Sequence, residues 1–288
     1  MAALFVIVCY AEQSGQLLVG LCYSEQLCVL GAVQGVTRLR DVVYVVTHRY
    51  EVSGPSSTIR RFNATTHQRL TDIVITGLGW ARAIAACELT SQLYVADHCC
   101  ACVWRMSSDG VDIQRWLTMS TSDTFRPFAL SVTSSRLLVT SFGDRQLRQF
   151  DAAGGDELRR VGLPDYMEPR QSVESPTATF IVGHCNSQLP QLQVSEVSTE
   201  GQVLRLFSSS LGWLQHIAVD RQGNIFVAAS GNGCRILLLD AQLALRRVII
   251  DERQLNYRRP ERLCYTEQSG QLLVGLDASV AVFDVLRR

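Results

Sequence analysis

The most conspicuous absence in this sequence is lysine, because all 27 basic residues among its 288 are arginine. Without lysine, Schiff-base and lysine general-base chemistry are excluded, and no side-chain amine is available for ubiquitination or acetylation. GC-rich codon usage explains this bias more simply than selection for either property. The 27 acidic residues balance the arginines, which argues against a strongly basic nucleic-acid surface.

Signature motifs of several enzyme classes are also missing. The sequence contains no GxSxG, Walker loop, Rossmann glycine fingerprint or HExxH motif, although a site assembled from distant residues stays open. Cys99 and Cys102 have the CxxC spacing, but no second CxxC completes a zinc site. No linker or low-complexity tract interrupts the chain, which indicates one compact unit.

The sequence carries few signals of the cellular compartment in which the protein is found. The first eleven residues are apolar, which is too short for a bilayer span, and they lack the basic flank of a secretory signal. Ten cysteines are most simply explained as reduced thiols, so we expect a cytoplasmic protein that does not enter a membrane. The alternative is secretion, which the glycosylation sequon at Asn63 keeps open.

What the sequence does contain is a repeat. Six β-rich apolar runs start 50, 44, 42, 46 and 47 residues apart, which is the spacing of propeller blades. The runs are VYVVTH from Val43, LYVADH from Leu93, LLVTSF from Leu137, TFIVGH from Thr179, IFVAAS from Ile225 and LLVGLD from Leu272.

Each run lies within a longer pattern of strands. An earlier run and a polar or glycine-bearing turn precede it, most clearly in WLQHIAVD, RQGN and IFVAAS from Trp213 to Ser230, which predicts a hairpin. A third run follows in most copies, and a weaker fourth, such as QRWLTM from Gln114, completes the pattern. The sequence therefore predicts an all-β fold, a six-bladed β-propeller of four-stranded antiparallel blades.

One stretch resembles a known family. The segment HIAVDRQGNIFVAASGNGCRILLLDAQLAL, from His216 to Leu245, is similar to an NHL repeat, and the YVAD and QFD segments of the second and third copies match parts of that repeat. The resemblance covers about residues 36 to 288. It implies a fold like the NHL domains of tripartite-motif proteins and like gluconolactonase-like propellers, and it implies a role in binding a partner protein.

Ring closure requires a strand from outside the last repeat, because the sequence ends directly after that repeat's third run. We expect the β-rich segment from Leu27 to Val33 to supply the missing strand and so remove an open edge. Residues 27–288 then form the propeller. Residues 1–26 form a separate segment that is loosely attached to the ring. Within it, CYAEQSGQLLVG from Cys9 duplicates CYTEQSGQLLVG from Cys264 except at one position.

The last position of the six runs carries the chemical signal. It holds His48, His98, His184 and Asp277 in four copies, and radial symmetry would bring them to one face. Such residues suit a divalent metal, zinc or calcium, as in a lactonase-like or amidoglycolate-lyase-like hydrolase or lyase. In the simpler interpretation each strand-end histidine bonds a loop carbonyl, because positions on opposite blades are more than ~10 Å apart while metal bonds need about 2 Å.

Binding is the default function of such a fold. We therefore predict a protein-interaction scaffold without a cofactor, which presents loops on one face to a partner protein. RNA is a less favoured partner, because the arginine doublets lack interleaved aromatic residues that could stack bases. The predicted binding residues follow the second strands: Arg49, Tyr50, Phe142, Arg145 and Asn232.

Overall fold

The computed structural model describes residues 23–29, 31–51, 54–118, 124–186 and 191–285, with the backbone alone at 23–26, 28, 49–51 and 54–56. Within these residues the chain forms 23 β-strands. The strands are Tyr23–Cys28 (β1), Ala32–Leu39 (β2), Val42–Glu51 (β3), Gly54–Asn63 (β4), Ala81–Cys87 (β5), Gln92–Asp97 (β6), Cys102–Ser107 (β7), Gln114–Thr118 (β8), Pro127–Thr133 (β9), Arg136–Ser141 (β10), Gln146–Asp151 (β11), Glu157–Gly162 (β12), Met167–Glu174 (β13), Phe180–Asn186 (β14), Leu192–Val197 (β15), Val203–Ser209 (β16), Trp213–Val219 (β17), Ile225–Ser230 (β18), Arg235–Leu239 (β19), Leu245–Ile250 (β20), Arg262–Thr266 (β21), Gln271–Leu276 (β22) and Ser279–Asp284 (β23).

The strands form six antiparallel sheets, which are the blades of a β-propeller. Blade I contains β2–β4, blade II β5–β8, blade III β9–β12, blade IV β13–β16, blade V β17–β20, and blade VI β21–β23 with β1. Blade I has three regular strands, and two isolated bridges, Ile59 with Ile73 and Phe62 with Arg69, take the place of its fourth. The predicted fold class is confirmed. Among the described residues, no helix has the length and apolarity of a membrane span.

Position within the blade decides how a strand is buried. The second strands are buried on both sides, as in β18, where every side chain is buried, because they lie between two neighbouring blades. The outermost strands face solvent, and five of the six residues of β12 are exposed. The apolar runs that revealed the repeat are therefore the doubly covered strands, which need no polar alternation.

The hydrophobic core is divided into six clusters, one at each interface between adjacent blades. Phe226 of blade V packs with Phe283 of blade VI, and Tyr44 of blade I lies in one cluster with Trp104 of blade II. The other four clusters join blades II and III, VI and I, IV and V, and III and IV. Each blade thus packs mainly on its neighbours, which lets a long chain remain one folded unit.

An N-terminal strand closes the ring, but it lies earlier than we expected. Strand β1 pairs antiparallel with β23, with Leu27 opposite Val280, and Leu27 and Val29 are buried in the cluster between blades VI and I. The predicted segment from Leu27 to Val33 is instead divided by a turn at Gly31, whose φ is 103°. Residues after that turn already belong to blade I. Residues 1–22 of the predicted loosely attached segment lie outside the described residues.

Candidate functional site

One end of the central channel gathers most of the predicted site positions. At this end, here called the channel mouth, the first strand of each blade begins and the second strand ends, as Trp213 opposite Ser230 illustrates. His48 lies opposite Ala32, and His184 lies opposite Pro169, at the same end of their blades. Radial symmetry therefore brings the aligned positions to one face, but their surroundings differ.

The four candidate metal ligands are not brought together as a metal site. Among the residues that the structure describes, no group of three or more His, Cys, Asp or Glu side chains is arranged to hold a metal ion. His48 and His184 are buried, and Asp277 is exposed. The difference arises because β3 and β14 continue past their histidines, whereas β6 and β22 end just before His98 and Asp277.

His184 is held by its own blade. Its Nδ1–H donates to the carbonyl of Cys185 at 3.4 Å, and its Nε2 accepts from the hydroxyl of Ser195 at 2.8 Å. Burial lowers the pKa of His184 to about 4, because an imidazolium loses its hydration there. This side chain is therefore a neutral, hydrogen-bonded residue of the blade interior, although its carbonyl partner lies within β14 and not in a loop as the simpler interpretation expected.

His48 and His98 belong instead to a chain of ring contacts along the mouth. His48 stacks on Trp80 with centroids 5.4 Å apart, and Trp80 meets His98 edge to face at 6.2 Å. His98 then meets Phe128 at 6.2 Å, and Phe128 meets Phe142 at 5.5 Å. This aromatic arc runs across blades I, II and III.

Arginines are interleaved with the arc. The Arg82 guanidinium lies 4.0 Å from the ring centroid of Trp80 and 5.0 Å from that of Phe128, and Arg170 lies 4.8 Å from Phe142. Cation–π contacts of this kind hold the guanidinium plane against a ring face. Burial, followed by the charge of Arg82, lowers the pKa of both His48 and His98. The positive charge of the mouth therefore comes from arginine, with the histidines neutral near pH 7.

A repeated backbone irregularity aims side chains into the mouth. In five blades the first strand has a β-bulge at the same level, and the extra residue is Gln34, Arg82, Phe128, Arg170 or Gln215. In blade VI, the N–H of Glu261 donates to the carbonyl of Gly275, and Arg262 is the strand partner of the same glycine. Bulges redirect a side chain out of the regular alternation of a strand. The five bulge residues line a cavity of about 190 Å³ at the mouth, together with Glu261 and Arg262.

The mouth has more positive than negative side chains. Four arginines, Arg82, Arg170, Arg259 and Arg262, line the cavity with two acids, Glu261 and Asp277. The pKa of Arg262 is lowered to about 10, first by burial and then by Arg82, Arg259 and Arg170, with Glu261 opposing the shift. The arginine remains protonated at neutral pH. Burial is the largest cause of this shift, and Glu261 raises the pKa more than any single neighbouring arginine lowers it.

The predicted binding residues have mixed outcomes. Phe142 lies in the aromatic arc. Asn232 is exposed in the loop after β18 and donates to the carbonyl of Ser210 at 3.4 Å. Arg145 lies in the turn after β10 with φ of 52°, and its carbonyl accepts from the N–H of Leu163. The side chains of Arg49 and Tyr50 lie outside the described part of the chain.

Sequence reasoning missed most of the mouth. Trp80 lies just before β5, and Arg82, Phe128 and Arg170 lie within the first four residues of their first strands. The predicted site residues lie instead at the ends of second strands and in the loops that follow them. An aromatic or arginine at the corresponding place in three consecutive copies is a signal that aligning the first strands could have found. The bulges themselves leave no mark in the sequence, because pairing across the blade determines them.

The opposite end of the channel differs in charge. A cavity of about 770 Å³ there is lined by Glu88, Glu174, Asp220 and Glu267 with one arginine, Arg221. These carboxylates are engaged locally. Asp220 accepts from the N–H groups of Gln222 and Asn224 in the turn of the predicted hairpin, and Glu174 pairs with Arg136 at 2.9 Å.

The cysteines of the CxxC spacing are thiols in the structure. Cys102 is buried, and burial followed by the charge of Asp97 raises its pKa to about 12. Cys99 is exposed. Asp97 is fully buried and accepts hydrogen bonds from the N–H of Gly79 and from the indole of Trp104. This carboxylate has a structural role, since it holds the loop before β5 against the blade.

Comparison with known proteins supports the fold. No protein-family model matches the sequence, and no curated protein sequence is similar to it. Among solved structures, the WD40 β-propeller domain of Doa1 is similar with a TM-score of 0.60 and 14% identity, over 92% of this chain and 97% of that one.

Two further structures are similar at the same level. Hydrazine synthase of Kuenenia stuttgartiensis has a TM-score of 0.61 and 12% identity, over 86% of this chain and 74% of that one. A chain of the nidogen/laminin complex has a TM-score of 0.60 and 14% identity, over 77% of this chain and 81% of that one. At identities this low, the likeness shows the propeller fold and nothing more specific.

Proposed function

We propose that this chain is a protein-interaction propeller that binds a partner protein at the channel mouth. The observation that carries the proposal is the concentration of tryptophan, phenylalanine and arginine on that face. Trp213, at the mouth end of β17, is 57% exposed, and Phe128 and Phe142 are half-buried in the arc. Tryptophan and arginine dominate the energetics of protein interfaces.

A protein suits this face better than a metal-bound small molecule. The described residues contain no cluster that would hold a metal, which disfavours the small molecule. The 27 acidic residues cancel the charge of the 27 arginines, which disfavours nucleic acid. Loops on a rigid scaffold are the usual carriers of binding. One similar structure is a chain of the nidogen/laminin complex, which supports a protein partner by analogy of fold alone.

The finer assignment to an NHL-like propeller rests on sequence. The segment from His216 to Leu245 that resembles an NHL repeat forms β17, β18 and β19 and begins β20. Its hairpin turn is built by Asp220 and Asn224, with the N–H of Asn224 donating to Asp220 at 2.8 Å. We include an NHL-like scaffold in the proposal on this basis, and a cytoplasmic location on the basis of the ten cysteines, which are most simply explained as reduced thiols.

The experiment is affinity capture with quantitative mass spectrometry, comparing the intact chain with a Trp213→Ala/Phe142→Ala variant. Both side chains lie at the mouth, and Trp213 is exposed, so the fold should persist. The control is Leu89→Ala, which removes a side chain that is 73% exposed at the opposite end of the channel. We expect partners that are retained by the control to be depleted at least tenfold by the mouth variant. Equal recovery with all three proteins would contradict the proposal.

A further inference from the structure

The six innermost strands present one side chain each to the mouth. Five of these positions are β-bulge residues, and the sixth, Glu261, lies directly before β21 and donates its N–H to the carbonyl of Gly275, the residue that pairs with Arg262. A bulge that recurs in each of five diverged blades is an organised feature of the ring, since bulges re-aim side chains beside functional sites. The resulting ring of side chains is Gln34, Arg82, Phe128, Arg170, Gln215 and Glu261.

Carboxylates of the described residues do not neutralise all the arginines of the mouth. Arg259 pairs with Glu261 at 3.0 Å and donates to Gln215 at 2.6 Å. Arg262 donates to the backbone carbonyls of Gln34 and Glu261, and no described carboxylate lies within ion-pair distance of it. Arg170 has no hydrogen-bond or carboxylate partner among the described residues, and its buried Nε is without an acceptor there. Buried guanidinium donors without an acceptor favour an incoming anion.

The mouth is also organised before any ligand arrives. Arg82 is fixed between the Trp80 and Phe128 rings and donates to Gln34 at 3.3 Å. Arg170 is held against Phe142. A guanidinium whose plane is already held loses less conformational freedom on binding.

We propose that the mouth recognises an acidic side chain of the partner protein, with the carboxylate of an Asp or Glu inserted among Arg82, Arg170 and Arg262. This inference rests on the proposed protein-binding function and names its ligand chemistry. A cavity of about 190 Å³ accommodates one side chain. The planar forks of arginine match the two oxygens of a carboxylate.

Nucleic acid fits this site less well. Base stacking needs open ring faces, but one face of Trp80 lies against Arg82 and the ring also stacks on His48. His98 meets its two aromatic neighbours edge to face, at 86° and 84°. The rings therefore support the arginines and offer no continuous stacking platform.

The experiment uses the full chain to select from a phage-displayed library of random nine-residue peptides. We expect the enriched peptides to share an Asp or Glu at one position. Affinity is then measured by fluorescence anisotropy with a labelled selected peptide, with the same peptide carrying Gln in place of the acid, and with an eight-nucleotide oligouridine as competitor. The Gln peptide should bind at least tenfold more weakly.

Protein variants test the assignment in both directions. Arg170→Gln should weaken binding of the acidic peptide about tenfold, and Glu261→Gln, which removes one of the two internal carboxylates of the cavity, should strengthen it about threefold. Arg159→Gln is the control, because Arg159 is exposed on the outer strand β12, and it should leave the affinity unchanged. The gain of affinity expected for Glu261→Gln cannot come from a misfolded protein. Thermal melting shows whether the Arg170→Gln and Arg159→Gln proteins are folded.

The outcomes separate the two proposals. Selected peptides without an acidic residue, or an unchanged affinity for Arg170→Gln, overturn carboxylate recognition, while loss of partner capture by the Trp213→Ala/Phe142→Ala variant would still support protein binding. Displacement of the peptide by oligouridine overturns carboxylate recognition in favour of nucleic-acid binding. Failure to enrich any peptide, together with unaffected partner capture, overturns both.

Discussion

At the scale of single residues, burial determines what the histidines of this protein can do. His184 is fully buried, with both ring nitrogens engaged and a pKa of about 4. His48 and His98 also have lowered pKa values, because of burial and then of Arg82. All three are therefore neutral at physiological pH, and the charge available to a ligand at the mouth is that of arginine.

The buried histidine predicts a pH-dependent stability. A His pKa lowered from 6.5 to about 4 in the folded state means that the unfolded chain binds a proton more readily. The stabilisation is full above pH 6.5 and is lost as the pH falls toward 4. Between pH 7 and pH 5, His184 alone should remove on the order of 2 kcal/mol from the free energy of unfolding.

Urea unfolding at both pH values measures this loss. His184→Gln keeps hydrogen-bonding groups but does not titrate, so its free energy of unfolding should fall less between pH 7 and pH 5 than that of the unaltered chain. The other histidines affect both proteins equally. Identical pH profiles for the two proteins would show that His184 does not titrate as described.

At the scale of elements, the blades depend on close approach between the inner two strands of one blade and the first strand of the next. Gly35 of β2 faces β5, and a Cβ placed on Gly35 would lie 2.8 Å from the backbone nitrogen of Ile84. Gly183 of β14 and Gly275 of β22 approach the next blade in the same way, with side-chain atoms 3.0 and 2.7 Å from the added Cβ. Glycine at these positions sets how tightly the inner ring can close.

Gly35→Ala should therefore destabilise the protein. The added methyl group meets backbone, which cannot rotate away, and overpacking of this kind costs about 1–3 kcal/mol. Gly162→Ala is the matched control, because nothing lies within 4 Å of its added Cβ, and it should change the free energy of unfolding by less than about 0.5 kcal/mol. Urea midpoints at pH 7 measure both. Equal midpoints would mean that the blades can separate without cost.

At the scale of the whole molecule, ring closure depends on one short strand far from its partner in sequence. Strand β1 pairs with β23 over Tyr23–Cys28, and its Leu27 is 2% exposed. Without it, β23 would become an open edge beside a partly uncovered core. The stability of the propeller is therefore tied to its N-terminal residues.

Two truncations test the closure. Removal of residues 1–29 should cost about 3–6 kcal/mol through lost burial at Leu27 and Val29, which lowers the melting temperature by roughly 10 °C. It should also promote concentration-dependent association through the exposed edge. Removal of residues 1–22 leaves β1 intact and should leave the melting temperature unchanged. Equal melting of the two truncated proteins would show that β1 does not close the ring.

The sequence determined the architecture because blades repeat. A doubly covered second strand needs a continuous apolar run, so runs such as that from Leu93 and that from Ile225 mark the blades without knowledge of their packing. The expectation of a closing N-terminal strand was confirmed on the same grounds, since an unpaired edge is unfavourable. The strand begins at Tyr23, four residues before the predicted start at Leu27, because the turn at Gly31 depends on how blades I and VI meet.

The candidate site was decided by the tertiary structure. Aligned positions such as His184 and Asp277 are equivalent in sequence, yet one is buried within a strand and the other is exposed in a turn, because side chains alternate along a strand and strand length differs between blades. The arc from His48 to Phe142 and the arginines beside it come from separate blades. The sequence by itself determined six blades and their order. Only the closed ring, in which the bulges of five blades turn a side chain toward the mouth, could decide which residues meet. Those distances are set by packing between blades and not by spacing along the chain.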